Sequence, residues 1–358
     1  MMVKIPIQNI WLLMLYASEF YSCATPEQIK PETLDADLPK ALIDIFLSLL
    51  EPYIHGHWVS GYTSQSEKLS CVRGRIDIDK TYHQGLLEQA RVHCHFQELS
   101  FNTPRHQYLA YVVNNIYSKA SQTQQSKLQH IQQQFKVRGI RTAIQTNYAV
   151  QRDRFARHEQ QLQQLLSIGE LLVQMQLPTQ QQGAQHFVQA SYSVHQLRLL
   201  FEKAMAGFYQ RHLKQWKVLK GVYLNWSPSV KKSDLYSYIP KMKTDFILHH
   251  RSTSQCILVD TKFTNILTTG HYDGRQMFKS QYLYQMYSYL RSQEYAESRW
   301  TFTDGLLLHA ALDTKIQDMV EIQGYRIHYA TIDLNQNRAQ IELDLLNLVK
   351  QMMQKNDA

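Results

Sequence analysis

The chain has 358 residues, which exceeds the usual size of one compact core, so we expect two domains. Hydrophobic residues make up 44% and charged residues 19%, an ordinary composition for a soluble globular protein. The net charge of +8 permits a polyanionic partner such as nucleic acid but does not by itself indicate one. None of the four cysteines lies in a CxxC pair, which argues against a zinc ribbon or a redox motif and favours a reducing, cytoplasmic setting.

The N-terminal half predicts helices around a β-rich segment. Apolar residues at helical spacing predict helices over residues 9–20, 39–50, 104–135 and 158–176. The apolar run at 10–17 is too short to span a bilayer, and no clean signal-peptide cleavage site follows it, so we expect a buried helix and no membrane association. Residues 56–96 mix aromatic and β-branched residues with Gly, Ser and Thr, which is typical of β-hairpins, and Gly74 predicts a close backbone approach.

A change in organisation follows a Pro- and Gln-rich stretch. Residues 178–183 are the best linker candidate, so we expect an N-terminal domain over 1–177 and a second domain over 178–358. The second domain predicts the following order: helix 194–213, strands 218–226, 243–249 and 256–263, helix 276–292, strands 304–309 and 325–332, and helix 339–354. This order predicts an α/β unit, α+β for the chain as a whole, in which helices flank a central mixed sheet.

One predicted hairpin brings two carboxylates together. Strands 243–248 and 256–263 are joined by a polar turn, and symmetric closure on the turn places Asp245 opposite Asp260. Directly paired side chains have Cβ atoms only about 5 Å apart, where like charges are destabilising. The arrangement makes sense if a divalent cation lies between them, and Mg²⁺ is the cation that favours carboxylate, water and phosphate oxygens.

Lys262 adds a positive charge on the same strand face as Asp260, because strand side chains alternate. An ammonium beside a metal site can stabilise the negative charge that develops during phosphodiester hydrolysis. Strand ends often carry charged residues, and an Asp-x-Lys triplet alone is common. The upstream Asp245 in register is what makes the pattern more specific.

Two further residues are candidates for the same site. Glu202, on the helix before the sheet, could accept a hydrogen bond from a water on the cation, although a solvated helix position is about as good an interpretation. Gln285, on the helix after the hairpin, could orient a phosphate or a water, or it could be a surface amide. His93 and His95 share one strand face, but without a third ligand at a sensible spacing we interpret them as a polar face.

The pattern Asp245…Asp260-Thr261-Lys262 resembles the core of PD-(D/E)XK restriction-endonuclease-like domains. More specifically, the chain resembles the McrC family, the nuclease subunits of McrBC modification-dependent restriction systems. The resemblance covers nearly the whole chain, although Gln8 stands where the family usually has Arg. It rests on motifs in the family's order, namely IPIQNI at 5–10, LYA at 15–17, VRGRI at 72–76, LFEK at 200–203, IPKMKTD at 239–245 and SQYLYQ at 280–285.

The resemblance implies a division of labour between two domains. The N-terminal domain would dock on an McrB-like AAA+ ring, which binds GTP and reads modified cytosine, and would stimulate its GTP hydrolysis. The C-terminal domain would cut both strands of double-stranded DNA with Mg²⁺, and Asp245, Asp260 and Lys262 would be its catalytic set. This chain has no GxxxxGK[ST] phosphate-binding loop, which agrees with the nucleotide being bound by the partner.

The β-rich segment 56–96 is the candidate for contact with the ring. Arg73 and Arg75 could supply charge near a nucleotide phosphate, although a solvated hairpin edge explains them equally well. Two alternatives remain for the whole chain. One is a catalytically silent, DNA-binding activator of the partner GTPase, and the other is a nuclease subunit of a different defence or transposition system.

Overall fold

The computed structural model describes residues 5–25, 29, 38–56, 58–142, 148–176, 193–226, 238–253, 255–269, 275–294, 301–311 and 315–354. The chain divides into two compact units: the first unit is Ala24–Gln174, and the second unit is Met1–Cys23 together with Met175–Ala358. This division differs from the predicted one in the placement of Met1–Cys23. The prediction assigned these residues to the N-terminal domain, whereas they pack within the second unit. The predicted linker at 178–183 lies outside the described residues.

The helices and strands of the described residues are as follows. The helices are α1 (Ile7–Ala17), α2 (Glu19–Cys23), α3 (Leu38–His55), α4 (Ile78–His83), α5 (Pro104–Ile116), α6 (Gln122–Val137), α7 (Gln160–Gln176), α8 (Val194–His212), α9 (Ser280–Ser292) and α10 (Arg338–Gln354). The strands are β1 (Gly61–Leu69), β2 (Arg75–Ile76), β3 (Val92–Ser100), β4 (Trp216–Lys220), β5 (Tyr223–Leu224), β6 (Met242–Lys243), β7 (Phe246–His250), β8 (Gln255–Lys262), β9 (Leu267–Thr269), β10 (Gln276–Phe278), β11 (Thr301–Ala311), β12 (Gln317–Ile322) and β13 (Tyr325–Asp333).

The Gln-rich segment of the first unit is a helix, as its apolar stripe predicts. Ser121 Oγ starts α6 by accepting a hydrogen bond from the backbone amide of Gln124, and Gln124 Oε1 accepts one from the backbone amide of Ser121. Leu128, Ile131 and Phe135 are fully buried along one face of α6. A few apolar side chains at helical spacing therefore decide the fold of a segment whose composition resembles low complexity.

The β-rich segment forms a three-stranded antiparallel sheet in the order β1-β3-β2. The segment is rich in strands, as predicted, but β1 pairs with β3 rather than with the next strand β2, and the helix α4 between β2 and β3 was not predicted. Gly74 has a φ of 69°, and a Cβ at this position would overlap the carbonyl oxygen of His95. The predicted close backbone approach is therefore present, and only glycine fits there without strain.

The second unit is built on a six-stranded mixed sheet in the order β12-β13-β11-β8-β7-β4. Strand β11 runs parallel to both β8 and β13, and the remaining pairs are antiparallel. The prediction of a central mixed sheet is confirmed. Six consecutive residues of β8, Cys256 to Thr261, are buried, as expected for an inner strand covered on both faces.

The N-terminal segment belongs to this unit because α1 packs closely on α8. A Cβ on Gly207 of α8 would overlap the carbonyl oxygen of Tyr16, so the two backbones approach as closely as glycine allows. Tyr16 Oη donates to Glu342 at 2.6 Å, and Asn9 Nδ2 donates to the Leu334 carbonyl at 2.6 Å. The apolar N-terminal run is thus a buried helix, and among the described residues no helix has the length and apolar character needed to cross a membrane.

The bounds of several strands differ from the sequence prediction. Residues 276–278 form β10 and pair with β9, so the helix expected from 276 begins only at Ser280. The strand expected over 218–226 is divided between β4 and the two-residue β5. The six-residue strand β12 was not predicted because it is mostly exposed and polar and shows no apolar alternation. Strands of two or three residues carry too little alternation to be seen in sequence, and only their pairing partners define them.

Candidate active site

The hairpin of β7 and β8 has the predicted register. Phe246 pairs with Val259 and Ile247 with Leu258. Asp245 immediately precedes β7, and the same register continued by one residue places it opposite Asp260. Asp260 is only 2% exposed, whereas Asp245 is half-buried. The hairpin therefore brings one buried and one accessible carboxylate to the same end of the sheet.

Asp245 is held by its neighbour on β8. Its Oδ2 accepts hydrogen bonds from the backbone amide and from the hydroxyl of Thr261, each at 2.7 Å. Its Oδ1 makes no hydrogen bond with the described residues, so one carboxylate oxygen is fixed and the other is available. Sequence reasoning missed Thr261 because the middle residue of an Asp-x-Lys triplet carries no signal of its own.

Asp260 and Lys262 lie on the same face of β8, as strand alternation predicts. Lys262 Nζ is 2.5 Å from Asp260 Oδ2 and also donates to Gln285 Oε1 at 3.2 Å. The ammonium lies 4.9 Å from the centroid of the Tyr282 ring, a cation–π distance. Three side chains, Asp260 of β8 and both Gln285 and Tyr282 of α9, therefore surround the ammonium.

Gln285 is not a free surface amide. It is half-buried on α9, and its Nε2 donates to Tyr289 Oη at 2.9 Å. Tyr289 in turn donates to the Lys243 carbonyl at 3.1 Å, just before the hairpin. This chain of hydrogen bonds connects α9 to β8 through Lys262 and to β6 through Lys243. Tyr289 was not anticipated because its spacing only indicates helix packing.

The carboxylates of the site interact electrostatically with Glu202. Burial raises the pKa of Glu202, which is half-buried on α8, and the negative charge of Asp245 raises it further. Burial also raises the pKa of Asp260, Lys262 opposes this shift, and Asp245 adds to it. Glu202 is therefore part of the acidic centre rather than a solvated helix residue.

This donor set fits a hard divalent cation. The charge of Asp245 raises the pKa of both Glu202 and Asp260, so these carboxylates form a negative site that a cation would stabilise, and oxygen is the ligand atom that Mg²⁺ prefers. Asp245 and Asp260 are the residues of this chain that would hold it. The predicted site residues Asp245, Asp260, Lys262, Glu202 and Gln285 are thus brought together, while their roles stay predictions.

Two further residues near the site, one positively charged and one polar, were not predicted from the sequence. Arg198 lies one helical turn before Glu202, and its charge partly offsets the effect of burial on Asp260. His309 of β11 lies opposite Lys262, and its Nδ1 donates to the Thr264 carbonyl at 2.9 Å. Burial lowers the pKa of His309 to about 4, so its ring is neutral at physiological pH.

The two arginines predicted to contact a partner have different surroundings in the first unit. The Arg73 guanidinium lies 4.2 Å from the centroid of the Phe96 ring and 3.4 Å from Glu98. Arg75 is exposed and makes no ion pair with the described residues. Arg75 is therefore the more available of the two for a partner.

A mixed sheet that carries two facing carboxylates and an ammonium at one end of its inner strands defines an α/β protein with a candidate hydrolytic centre. Residues 8–307 match the family model described as "McrBC 5-methylcytosine restriction system component", and the chain belongs to this family.

The chain is also similar to individual proteins. It is 24% identical over 352 residues, covering 96% of this chain and 97% of the relative, to "Type IV methyl-directed restriction enzyme EcoKMcrBC" of Escherichia coli (strain K12). A solved structure titled "Refined half-complex from tetradecameric assembly of Thermococcus gammatolerans McrB AAA+ hexamers with bound McrC" is 13% identical, with 96% of this chain and 76% of that chain covered and a TM-score of 0.46. A second, titled "Cryo-EM structure of the Thermococcus gammatolerans McrBC complex", is 13% identical with 59% and 60% covered and a TM-score of 0.34.

Proposed function

We propose that this chain is the Mg²⁺-dependent endonuclease subunit of a restriction complex and that it hydrolyses phosphodiester bonds of double-stranded DNA. The observation that supports the proposal most directly is the buried Asp260, placed opposite Asp245 and 2.5 Å from the Lys262 ammonium. Membership of a restriction-system family, and a relative named as a restriction enzyme, support the same substrate class.

Asp245 and Asp260 would hold the Mg²⁺ ion, which when bound supplies positive charge to the phosphate and makes a water more acidic. The hydrogen bonds from Thr261 orient Asp245 before any ion arrives, and its Oδ1 stays available as a ligand. Burial of Asp260 keeps bulk water away from one side of the site. The protein thus contributes a preorganised pair of oxygen ligands.

Lys262 would stabilise the negative charge that builds up on the phosphate as the bond breaks. Its ammonium is held between Asp260 and Gln285, so little reorganisation is needed when the charge develops. Gln285 therefore acts as a positioning residue for Lys262. Glu202, whose pKa is raised by burial and by Asp245, is the group best suited to accept a proton from the attacking water.

The proposal extends to a partner. The chain has no GxxxxGK[ST] loop, so GTP would be bound by an McrB-like AAA+ ring, which would also read the modified cytosine. The three-stranded sheet of the first unit would contact that ring and stimulate its GTP hydrolysis. Arg75 is the favoured contact residue, because Arg73 is already engaged with Phe96 and Glu98.

The test uses the full chain with its purified GTPase partner and methylated plasmid DNA. Asp260→Asn is expected to abolish cleavage while GTP hydrolysis continues at the wild-type rate. Asp318→Asn, which changes an exposed carboxylate on β12 of the same unit, is the matched control and is expected to cut normally. Cleavage by Asp260→Asn at the wild-type rate would exclude this site as the nuclease centre.

The same assays separate the alternatives. A silent activator would stimulate GTP hydrolysis with no cleavage by the wild-type chain, and a nuclease of another system would cut without any effect on GTP hydrolysis. Arg75→Ala is expected to lower the stimulation, whereas Arg73→Ala is expected to have a smaller effect. Equal stimulation by both variants and the wild type would remove the two arginines from the contact.

A further inference from the structure

A second cluster of metal-ligating side chains lies in the three-stranded sheet of the first unit. Arg75 pairs with His95 and Ile76 with Cys94, and the Asp77 amide then donates to the His93 carbonyl at 2.8 Å. Asp77 therefore lies directly opposite His93. His93 and His95 are two residues apart on β3, so their rings share one face of the sheet.

The ligand atoms of this cluster lie close together. Potential ligand atoms of Asp77, His93 and His95 are all within 4.8 Å of one another. Asp77 Oδ2 is 3.0 Å from His95 Nε2, and the two imidazole centroids are 5.6 Å apart. Ligand atoms on a tetrahedral ion with bonds of about 2.0 Å are about 3.3 Å apart, so small side-chain rotations would bring all three onto one ion. The sequence argued against a metal site because no third ligand was evident. In the structure, Asp77 lies where that third ligand would be needed.

His93 supplies an independent reason to expect a ligand. Its side chain is only 8% exposed, and its Nδ1 is buried without a hydrogen-bond partner among the described residues. A buried imidazole nitrogen with no partner carries a desolvation cost that a bound cation would remove. Asp77 is also fixed in place, because as the N-cap of α4 it accepts a hydrogen bond from the Lys80 amide.

The groups that surround the Asp77 carboxylate are compatible with cation binding. Asp77 Oδ1 accepts a hydrogen bond from the Lys80 amide and Oδ2 accepts one from His95 Nε2, each at 3.0 Å, so one carboxylate oxygen already lies beside an imidazole. The Lys80 ammonium lies 3.4 Å from the same carboxylate, but this side chain is half exposed and free to rotate away into solvent. A divalent cation would bind the Asp77 oxygen that the Lys80 ammonium and the His95 ring both approach.

We propose that Asp77, His93 and His95 form a structural site for Zn²⁺ or a similar transition-metal ion, separate from the Asp245–Asp260 centre. Two imidazoles and one carboxylate suit zinc far better than Mg²⁺, which prefers oxygen ligands alone. Strand β2 pairs with β3 over only two residues. A metal bridge between Asp77 and β3 would clamp β2 and α4 to the sheet and so fix the segment that carries Arg75.

The test measures binding of Zn²⁺ alone to the untagged full chain after dialysis against a chelator. Asp245→Asn/Asp260→Asn serves as the background, so that ions at the other centre do not contribute. We expect about one zinc per chain, and a visible absorption spectrum typical of nitrogen and oxygen ligands when Co²⁺ replaces zinc. His95→Gln and Asp77→Asn are expected to weaken zinc binding about tenfold or more.

These variants are chosen to keep the fold intact. His95 is exposed, and asparagine replaces aspartate well at a helix N-cap. His83→Gln, which changes an exposed histidine on α4, is the matched control and is expected to bind zinc like the background. No bound zinc, or equal binding by His95→Gln, Asp77→Asn and His83→Gln, would overturn the proposal. Because DNA cleavage is not the readout, the outcome is independent of the proposed nuclease function.

Discussion

Replacing Thr261 by valine tests whether the orientation of Asp245 matters. The substitution keeps the β-branched shape in β8 but removes the hydroxyl that donates to Asp245 Oδ2 at 2.7 Å. Thr261 is 3% exposed, so bulk water does not replace the lost donor easily. The backbone amide of the same residue still donates to this oxygen. The carboxylate therefore stays in the site but is held by one bond instead of two.

The expected magnitude follows from the strength of the lost bond. Hydrogen bonds to charged groups contribute about 1.5–3 kcal/mol, and each 1.4 kcal/mol corresponds to about a factor of ten. Because Asp245 keeps its backbone donor, we expect the lower end of that range. The Mg²⁺ concentration that gives half-maximal cleavage should rise about tenfold, while saturating Mg²⁺ restores most of the rate.

The measurement is a single-turnover cleavage assay of the complete complex over a range of Mg²⁺ concentrations. Thr331→Val is the matched control, because Thr331 is a buried threonine of the same sheet whose hydroxyl bonds the Ile316 backbone. It should lower stability without altering the Mg²⁺ dependence. An unchanged Mg²⁺ dependence in Thr261→Val would refute the reasoning that this hydroxyl preorganises a metal ligand.

Two further predictions concern stability. Gly207→Ala should lower the free energy of unfolding by about 1–3 kcal/mol, because its methyl group would overlap the Tyr16 carbonyl, and chemical denaturation would measure this. Gly169→Ala is its control, because that methyl group would meet only the Val112 side chain, at 3.0 Å. An unchanged free energy of unfolding for Gly207→Ala would contradict the close packing of α1 on α8. Burial lowers the pKa of His106 from 6.5 to about 4, so the unfolded chain binds more protons between these values and stability should fall as pH drops through this window. Between pH 7 and 4.5 the wild type should lose about 2–3 kcal/mol more than His106→Gln, and equal losses would exclude this histidine as the cause.

The candidate site shows which features can be predicted from short segments of sequence. The register of β7 and β8 was predictable because the two strands are adjacent in sequence and joined by a short polar turn, which leaves few ways to pair them. The shared face of Asp260 and Lys262 followed from strand alternation alone. Glu202 and Gln285 could only be proposed as candidates, because nothing local sets how α8 and α9 lie against the sheet.

The type and location of most elements, and the face that each buries, could be predicted from the apolar periodicity of the chain. Which distant side chains meet became visible only in the folded protein. It gave Lys262 its contact with Gln285, Asp77 its place beside two histidines, and α1 its position against α8. The physical reason is that such contacts depend on strand order and on the close packing of backbones, which arise from the whole chain and leave no pattern in any short segment.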